Sequence, residues 1–242
     1  MTGHALAPDA FAPLVDAEAR GRSEKPEADD APRPILPVPA SAPRPSFAHN
    51  RYGTAASSWA YKGAGSCLLG YAVRFDTAED KQVLPLTWCR LPGGGEEWRW
   101  KAFPPPRPLY GLDRLAVAPS APVLVVEGEK TADAAQARFG DHVVVTWPGG
   151  GKAVAKVDWT ALRGRKVAIW PDADPPGAEA AREVAKLVLG AGAASSQRSN
   201  CLTGCRKPGT SPTRCPPTSM QTCCSPRRGR RSCRASCRPA MP

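Results

Sequence analysis

The sequence predicts an α/β fold: a parallel sheet flanked by helices, preceded by a small β-rich domain, with a disordered tail at each end. Three short apolar runs, at residues 123–126, 142–146 and 166–170, have the composition of strands that are buried on both faces. Helical segments at residues 129–139 and 178–189 alternate with them, which is typical of a parallel, three-layer arrangement. By contrast, residues 69–75 alternate apolar and polar side chains, which indicates a half-buried antiparallel strand.

The first part of the chain divides into a leader and the small β-rich domain. Residues 1–48 are rich in proline, alanine and charge, so we predict a disordered leader. Residues 49–115 contain the alternating strand, a second strand in QVLPLTWCR and a third after the glycine turn in LPGGGEEWRW. Trp98 and Trp100 either fill the core of this sheet or stack on single-stranded bases, and we favour the core.

A stiff proline run at residues 104–108 connects this part to the α/β domain, which we place at residues 121–194. The periodicity ends after Ala194, where a fourth strand would be due. Residues 195–242 are therefore predicted to be a disordered tail, rich in Cys, Arg and Pro.

The basic character of the protein is concentrated in that tail. The formal net charge is +11, yet ten of the 33 basic residues and none of the 22 acidic ones lie in residues 197–242. Seven of the nine cysteines follow residue 200. We interpret this composition as a frameshift product of a GC-rich gene; the alternative is a natural basic tail that binds nucleic acid.

No segment indicates a membrane or secretory destination. No apolar run reaches the roughly 18 residues that a membrane span requires, and the N-terminus lacks the features of a signal peptide. We expect a cytoplasmic protein without a membrane partner.

Candidate site residues follow each of the three predicted parallel strands. They are Glu127, the loop Gly149, Gly150 and Gly151, and the pair Asp172 and Asp174. Ligands of parallel sheets bind at the carboxyl ends of the strands, so we expect these residues to meet at one edge. Carboxylates two residues apart on a strand point the same way and can share Mg²⁺ or Mn²⁺, which bridges to substrate phosphates.

The neighbouring residues suit the same chemistry. Glu127 can complete the metal shell or act as a general base. The glycine loop lets backbone N–H groups approach a phosphate, while Lys130 and Lys152 can neutralise its charge.

Each feature also has a purely structural explanation. Asp172 and Asp174 can cap the next helix, Glu127 and Glu129 can complement a helix dipole, and the glycines can simply turn the chain. Their occurrence in order at three strand ends favours a site.

Two segments, VLVVEGEKTADAA and WPDADPPG, resemble the Toprim domain of bacterial-type primases, type IA and type II topoisomerases, OLD-family nucleases and RecR-like repair proteins. The family pattern is a Glu-Gly pair after the first strand and Asp-x-Asp with a later glycine after the third. The matching residues are Glu127, Gly128, Asp172, Asp174 and Gly177. The resemblance implies that Glu127 is the catalytic, metal-proximal carboxylate, that Asp172 and Asp174 bind Mg²⁺, and that Gly128 and Gly177 are structural.

The flanking β-rich unit and the connection PLYGLDRL are similar to those of phage- and plasmid-type primases and primase-helicases. This similarity implies a mobile-element DNA primase that makes RNA primers from nucleotides on single-stranded DNA, with a replicative helicase as partner. The chain lacks a candidate zinc module and a Walker G-x4-G-K-[ST] motif, and we expect it to be truncated. The alternatives are a Toprim-type nuclease and a non-catalytic protein that binds nucleic acid through the basic tail.

Overall fold

The computed structural model describes residues 31–198, which form two units, one built on an antiparallel sheet and one on a parallel sheet. Residues 1–30 of the predicted leader and residues 199–242 of the predicted tail lie outside the described residues.

The first unit is a five-stranded antiparallel sheet with the order β1-β6-β5-β4, with β7 paired to β6, beside a small hairpin of β2 and β3. The strands are β1 (Arg33–Pro34), β2 (Ala48–His49), β3 (Gly53–Thr54), β4 (Ser57–Lys62), β5 (Leu68–Asp76), β6 (Lys81–Arg90) and β7 (Glu96–Arg99). The three strands predicted from alternation and turn residues are β5, β6 and β7. Their pairing buries Val73, Phe75 and Leu86 as one part of the core.

Residues 31–48 differ from the disordered leader that composition predicts. Strand β1 pairs with β6, with Arg33 opposite Arg90. Leu36 packs beside Phe103, and the Phe47 ring meets Tyr71 edge-on at 5.1 Å. Proline cannot donate a main-chain hydrogen bond, and a short edge strand such as β1 accepts it because only one side of the strand is paired.

Trp98 and Trp100 pack against the core of the sheet, which confirms the interpretation favoured above. The Trp98 ring meets Trp88 at 5.5 Å, and its Nε1 donates to the carbonyl of Pro43 at 2.7 Å. Trp100 lies edge-on to Phe75 at 5.5 Å.

The second unit is a four-stranded parallel sheet with the order β11-β10-β8-β9. Its strands are β8 (Val123–Val126), β9 (Val143–Val145), β10 (Lys166–Trp170) and β11 (Ser195–Arg198), and the helices of the chain are α1 (Leu112–Val117), α2 (Glu129–Gln136) and α3 (Pro175–Gly190). Short 3₁₀ turns at Gly151–Lys156 and Thr160–Leu162 connect β9 to β10. The predicted parallel α/β arrangement is confirmed.

Burial of β8 on both faces shows how the layers are built. Val123 and Val125 belong to a core that also contains Val184 of α3. Leu124 and Val126 belong to a second core with Ala132 of α2. Because side chains alternate along a strand, the same four residues hold a helix on each face of the sheet.

Strand β11 is the second difference from the sequence prediction, which ended the domain at Ala194. Ser195–Arg198 pairs in parallel with β10, from Lys166 opposite Ser195 to Ile169 opposite Arg198. The segment is polar and half-exposed, and backbone hydrogen bonds alone can add such a strand at a sheet edge. Hydrophobic periodicity therefore cannot detect it. Among the described residues, no helix has both the length and the apolar character to cross a bilayer.

Candidate active site

A cleft of about 600 Å³ opens between the antiparallel sheet and the carboxyl edge of the parallel sheet. Six of the residues singled out from the sequence line it: Glu127, Gly128, Lys130, Gly149, Gly150 and Asp172. The other four, Gly151, Lys152, Asp174 and Gly177, are not part of its lining. The predicted edge of the sheet is thus the floor of a real cleft.

Strand order brings Glu127 and Asp172 together. Val126, the last residue of β8, lies opposite Trp170, the last residue of β10. Glu127 and Asp172 follow these two positions, and the Asp172 N–H donates to Glu127 Oε1 at 3.5 Å. Both carboxylates are therefore held at adjacent strand ends.

Asp174 is the N-cap of α3. Its backbone is extended, and its Oδ1 accepts the Gly177 N–H at 2.7 Å. Prolines occupy the first helical positions, where no amide hydrogen is needed. The capping role considered from the sequence is therefore present, and a metal-binding role for Asp174 stays a prediction.

Gly177 is needed for a close approach between α3 and the preceding loop. A Cβ atom at this position would lie 2.7 Å from the carbonyl oxygen of Asp172. The absence of a side chain lets the first turn of α3 pack directly on the backbone that carries the Asp172 carboxylate.

The glycine loop after β9 is divided between cleft and helix. Gly149 and Gly150 have positive φ angles of 95° and 68° and line the cleft. The Gly150 carbonyl accepts a hydrogen bond from Trp147 Nε1 at 2.9 Å. Gly151 begins the following 3₁₀ turn, which carries the exposed Lys152 away from the cleft lining.

The acidic residues fit a magnesium ion that is bound jointly with a substrate. Within residues 31–198, no three Asp, Glu, His or Cys side chains form a group that could hold a metal ion by themselves. Mg²⁺ sites commonly use only one or two carboxylates and complete their shell with waters and substrate phosphates. Glu127 and Asp172 match that donor set.

Glu129 is a cleft residue whose environment the sequence reading missed. Its side chain is buried against the antiparallel unit, where the Tyr61 hydroxyl donates to Oε1 at 2.7 Å. Burial is the main cause that raises the pKa of Glu129, and burial next to this carboxylate also raises the pKa of Tyr61. Helical spacing carries a signal for this burial, because Glu129 falls on the same face of α2 as the apolar Ala132 and Ala135.

The opposite wall comes from the antiparallel sheet. Arg74, Lys81, Trp59 and Val83 line the cleft from β4, β5 and β6. Arg74 also forms an ion pair with Asp76 at 2.6 Å. These residues come together because their strands pair, so their spacing along the sequence could not predict that they line the cleft. Carboxylates on one wall and cations on the other suit a ligand that carries phosphate groups with a divalent metal.

Comparison with solved structures finds DNA primases. A chain of a bacteriophage T7 lagging-strand polymerase assembly with primase domains is similar with a TM-score of 0.41 and 15% identity, covering 62% of this chain and 66% of that one. The primase fragment of the T7 primase-helicase has a TM-score of 0.38 and 14% identity, over 59% of this chain and 51% of its own. A DNA primase domain from Pseudomonas aeruginosa has a TM-score of 0.37 and 16% identity, over 55% and 38%.

This chain thus spans less than two thirds of the length of each of these three proteins. No family model matches the sequence. No curated protein matches it either.

Proposed function

We propose that the protein is a Toprim-type nucleotidyltransferase of the DNA primase class, encoded by a mobile element, that joins ribonucleotides on a single-stranded DNA template. The observation that carries the proposal is the cleft in which Glu127 and Asp172 lie at adjacent ends of parallel strands, opposite Arg74 and Lys81. A replicative helicase is the protein partner that we propose for this function.

Asp172 and Glu127 would hold Mg²⁺ in this proposal, whereas Asp174, which caps α3 through Oδ1 and lies outside the cleft lining, would position the turn that carries Asp172. The ion, when bound, supplies Lewis-acid stabilisation of the charge that develops on the reacting phosphate. Glu127 has a second task, which is to accept the proton of an attacking 3′-hydroxyl group. Its position at the end of β8 suits this role because the backbone there is fixed by strands on both sides.

The walls of the cleft would position the nucleic acid and the incoming nucleotide. Gly149 and Gly150 carry no side chains, so their backbone can approach a phosphate closely. Lys130, Arg74 and Lys81 supply positive charge around it. Trp59 offers an aromatic face of the kind on which bases stack.

The test is primer synthesis by the full chain with a single-stranded DNA template, ribonucleoside triphosphates and Mg²⁺. We expect Asp172→Ala and Glu127→Ala to reduce the rate at least about a hundredfold, the scale of losing a general base or a key electrostatic group. Glu179→Ala is the matched control, because Glu179 is an exposed carboxylate of α3 that does not line the cleft. Equal rates in all four proteins would remove the assignment of the site.

The same preparations separate the two alternative functions. A Toprim-type nuclease would cleave DNA with Mg²⁺ in the absence of nucleotides. A non-catalytic binding protein would synthesise and cleave nothing. Its affinity for DNA, with its salt dependence, would be lost on removal of residues 199–242, a deletion that leaves β11 intact.

A further inference from the structure

Arg107 lies within the proline run that connects the two units, and both its N–H and its carbonyl group form main-chain hydrogen bonds. Its N–H donates to the carbonyl of Lys156 at 2.7 Å, and its own carbonyl accepts the N–H of Asp158 at 2.8 Å. The residue also forms a parallel bridge with Val157. Its position relative to the loop after β9 is therefore determined by main-chain bonds.

The guanidinium group lies directly against the glycine loop. A Cβ atom at position 149 would be 2.7 Å from Arg107 Nη1, so a side chain there would displace the group. Arg107, Gly149 and Glu129 line a small cavity of about 50 Å³ that shares Gly149 and Glu129 with the large cleft. This cavity is too small for a nucleotide. Arg107 does not itself line the large cleft, but the cavity that it lines adjoins the cleft at Gly149 and Glu129.

The Arg107 guanidinium includes a hydrogen-bond donor without an acceptor in the described part of the chain. Arg107 Nε is buried and has no hydrogen-bond acceptor within residues 31–198. No ion pair of Arg107 occurs among those residues either. Arginine is always charged in proteins, and a buried charged donor without an acceptor is costly and rare. A ligand with acceptor oxygens would remove that cost.

We propose that Arg107 binds a phosphate group of the ligand that occupies the cleft. A guanidinium presents a planar fork of donors that matches two phosphate oxygens. Arg107 approaches from the glycine loop, so it holds a phosphate on the side of Gly149. The proposal rests on the proposed function for the presence of a nucleotide or nucleic acid, and it adds a residue that neither the motif nor the strand-end pattern includes.

Equilibrium binding tests this role separately from catalysis. The probes are methylanthraniloyl-ATP, followed by fluorescence, and a labelled single-stranded oligo(dT), followed by anisotropy, each with Mg²⁺ and the full chain. We expect Arg107→Gln to weaken binding of at least one probe roughly tenfold to a hundredfold, the range for losing charge-assisted hydrogen bonds. Arg107→Lys should lose less, because it keeps the charge but not the fork. The control is Arg182→Gln, an exposed arginine of α3 outside the cleft lining.

The two probes identify the source of the phosphate. A loss confined to the ATP analogue assigns Arg107 to the nucleotide, and a loss confined to oligo(dT) assigns it to the nucleic-acid backbone. Affinities that match Arg182→Gln for both probes overturn the proposal, as does the absence of binding by the unsubstituted protein. If circular dichroism shows that Arg107→Gln is unfolded, the comparison is made with Arg107→Lys. Affinities of that variant equal to those of Arg182→Gln for both probes then overturn the proposal. A protein that binds both probes through Arg107 yet makes no primer would refute the proposed function and leave this inference standing.

Discussion

Two glutamates of one Glu-Gly-Glu run occupy different surroundings in the cleft. Glu127 is half-buried at the end of β8 beside Asp172, whereas Glu129 begins α2 and is buried beneath the Tyr61 hydroxyl. Gly128 separates them with a φ of 78°, which turns the chain from strand to helix. The same residue type is thereby available for chemistry at one position and for contact between the two units at the other.

Burial of Glu129 predicts a pH-dependent stability. Its pKa in the folded protein is raised above the ordinary value of 4.5, so between these two pKa values the folded state binds more protons than the unfolded state. The free energy of unfolding therefore falls as pH rises through that window. The stability that comes from protonated Glu129 is fully present below pH 4.5. Urea unfolding measured across this pH range should show that the free energy of unfolding of the Glu129→Gln variant no longer decreases in this way.

The control is Glu79→Gln, since Glu79 is an exposed residue of the turn between β5 and β6. A Glu129→Gln protein whose unfolding free energy varies with pH as steeply as that of the control would contradict the assignment.

At the level of elements, the start of α3 serves both the fold and the site. Asp174 caps the helix through Gly177, and Gly177 in turn allows contact with the Asp172 carbonyl. The loop between β10 and α3 is thus held at its end by the same residues that the motif contains. A shift of this turn would move Asp172 relative to Glu127.

Substitutions at Asp174 separate capping from metal binding. We expect Asp174→Ala to lower the free energy of unfolding by about 0.5–2 kcal/mol, because the Gly177 N–H loses its acceptor. Asp174→Ser should keep most of that stability, since serine is also a good N-cap. Urea denaturation and primer synthesis would be measured on both variants. A serine variant with full stability and full activity would show that Asp174 is only a cap.

The whole molecule depends on contacts that join distant parts of the sequence. The hydroxyl of Tyr61 in β4 donates to Glu129 of α2. Tyr110, in the connection between the units, donates its hydroxyl hydrogen to Asp133 Oδ1 at a distance of 2.9 Å. Arg165 donates to the carbonyls of Leu115 and Ala118 and so anchors the end of α1. Of these bonds, the one between Tyr61 and Glu129 joins the two units directly.

Strand β11 gives a prediction at this scale. A chain that ends at residue 194 would leave the edge of β10 unpaired, whereas a chain that ends at residue 198 keeps all four paired positions. We expect the shorter chain to unfold at a lower urea concentration and to scatter more light, because an unpaired strand edge promotes association. Identical unfolding midpoints and light scattering for the two chains would show that β11 adds nothing to stability.

Much of the parallel sheet and part of the site could be predicted from local patterns. Short apolar runs of valine and isoleucine predicted β8, β9 and β10, and the residues after them predicted that Glu127, Gly149 and Asp172 share one edge. The polar strand β11 was not predicted because main-chain hydrogen bonds hold it in the sheet. Such pairing produces no hydrophobic periodicity in the sequence. The strand β1 escaped because proline-rich composition conceals a segment that pairs at an edge.

Sequence alone predicted which residues gather at one edge of the sheet, since carboxylates and glycines just past buried strands meet wherever those strands form a parallel sheet. The tertiary structure decided which residues face one another across the cleft. Tyr61 meets Glu129, and Arg107 meets Gly149, over separations of tens of residues. Such pairs arise from tertiary packing between segments that are distant in the sequence, and no local periodicity predicts that packing.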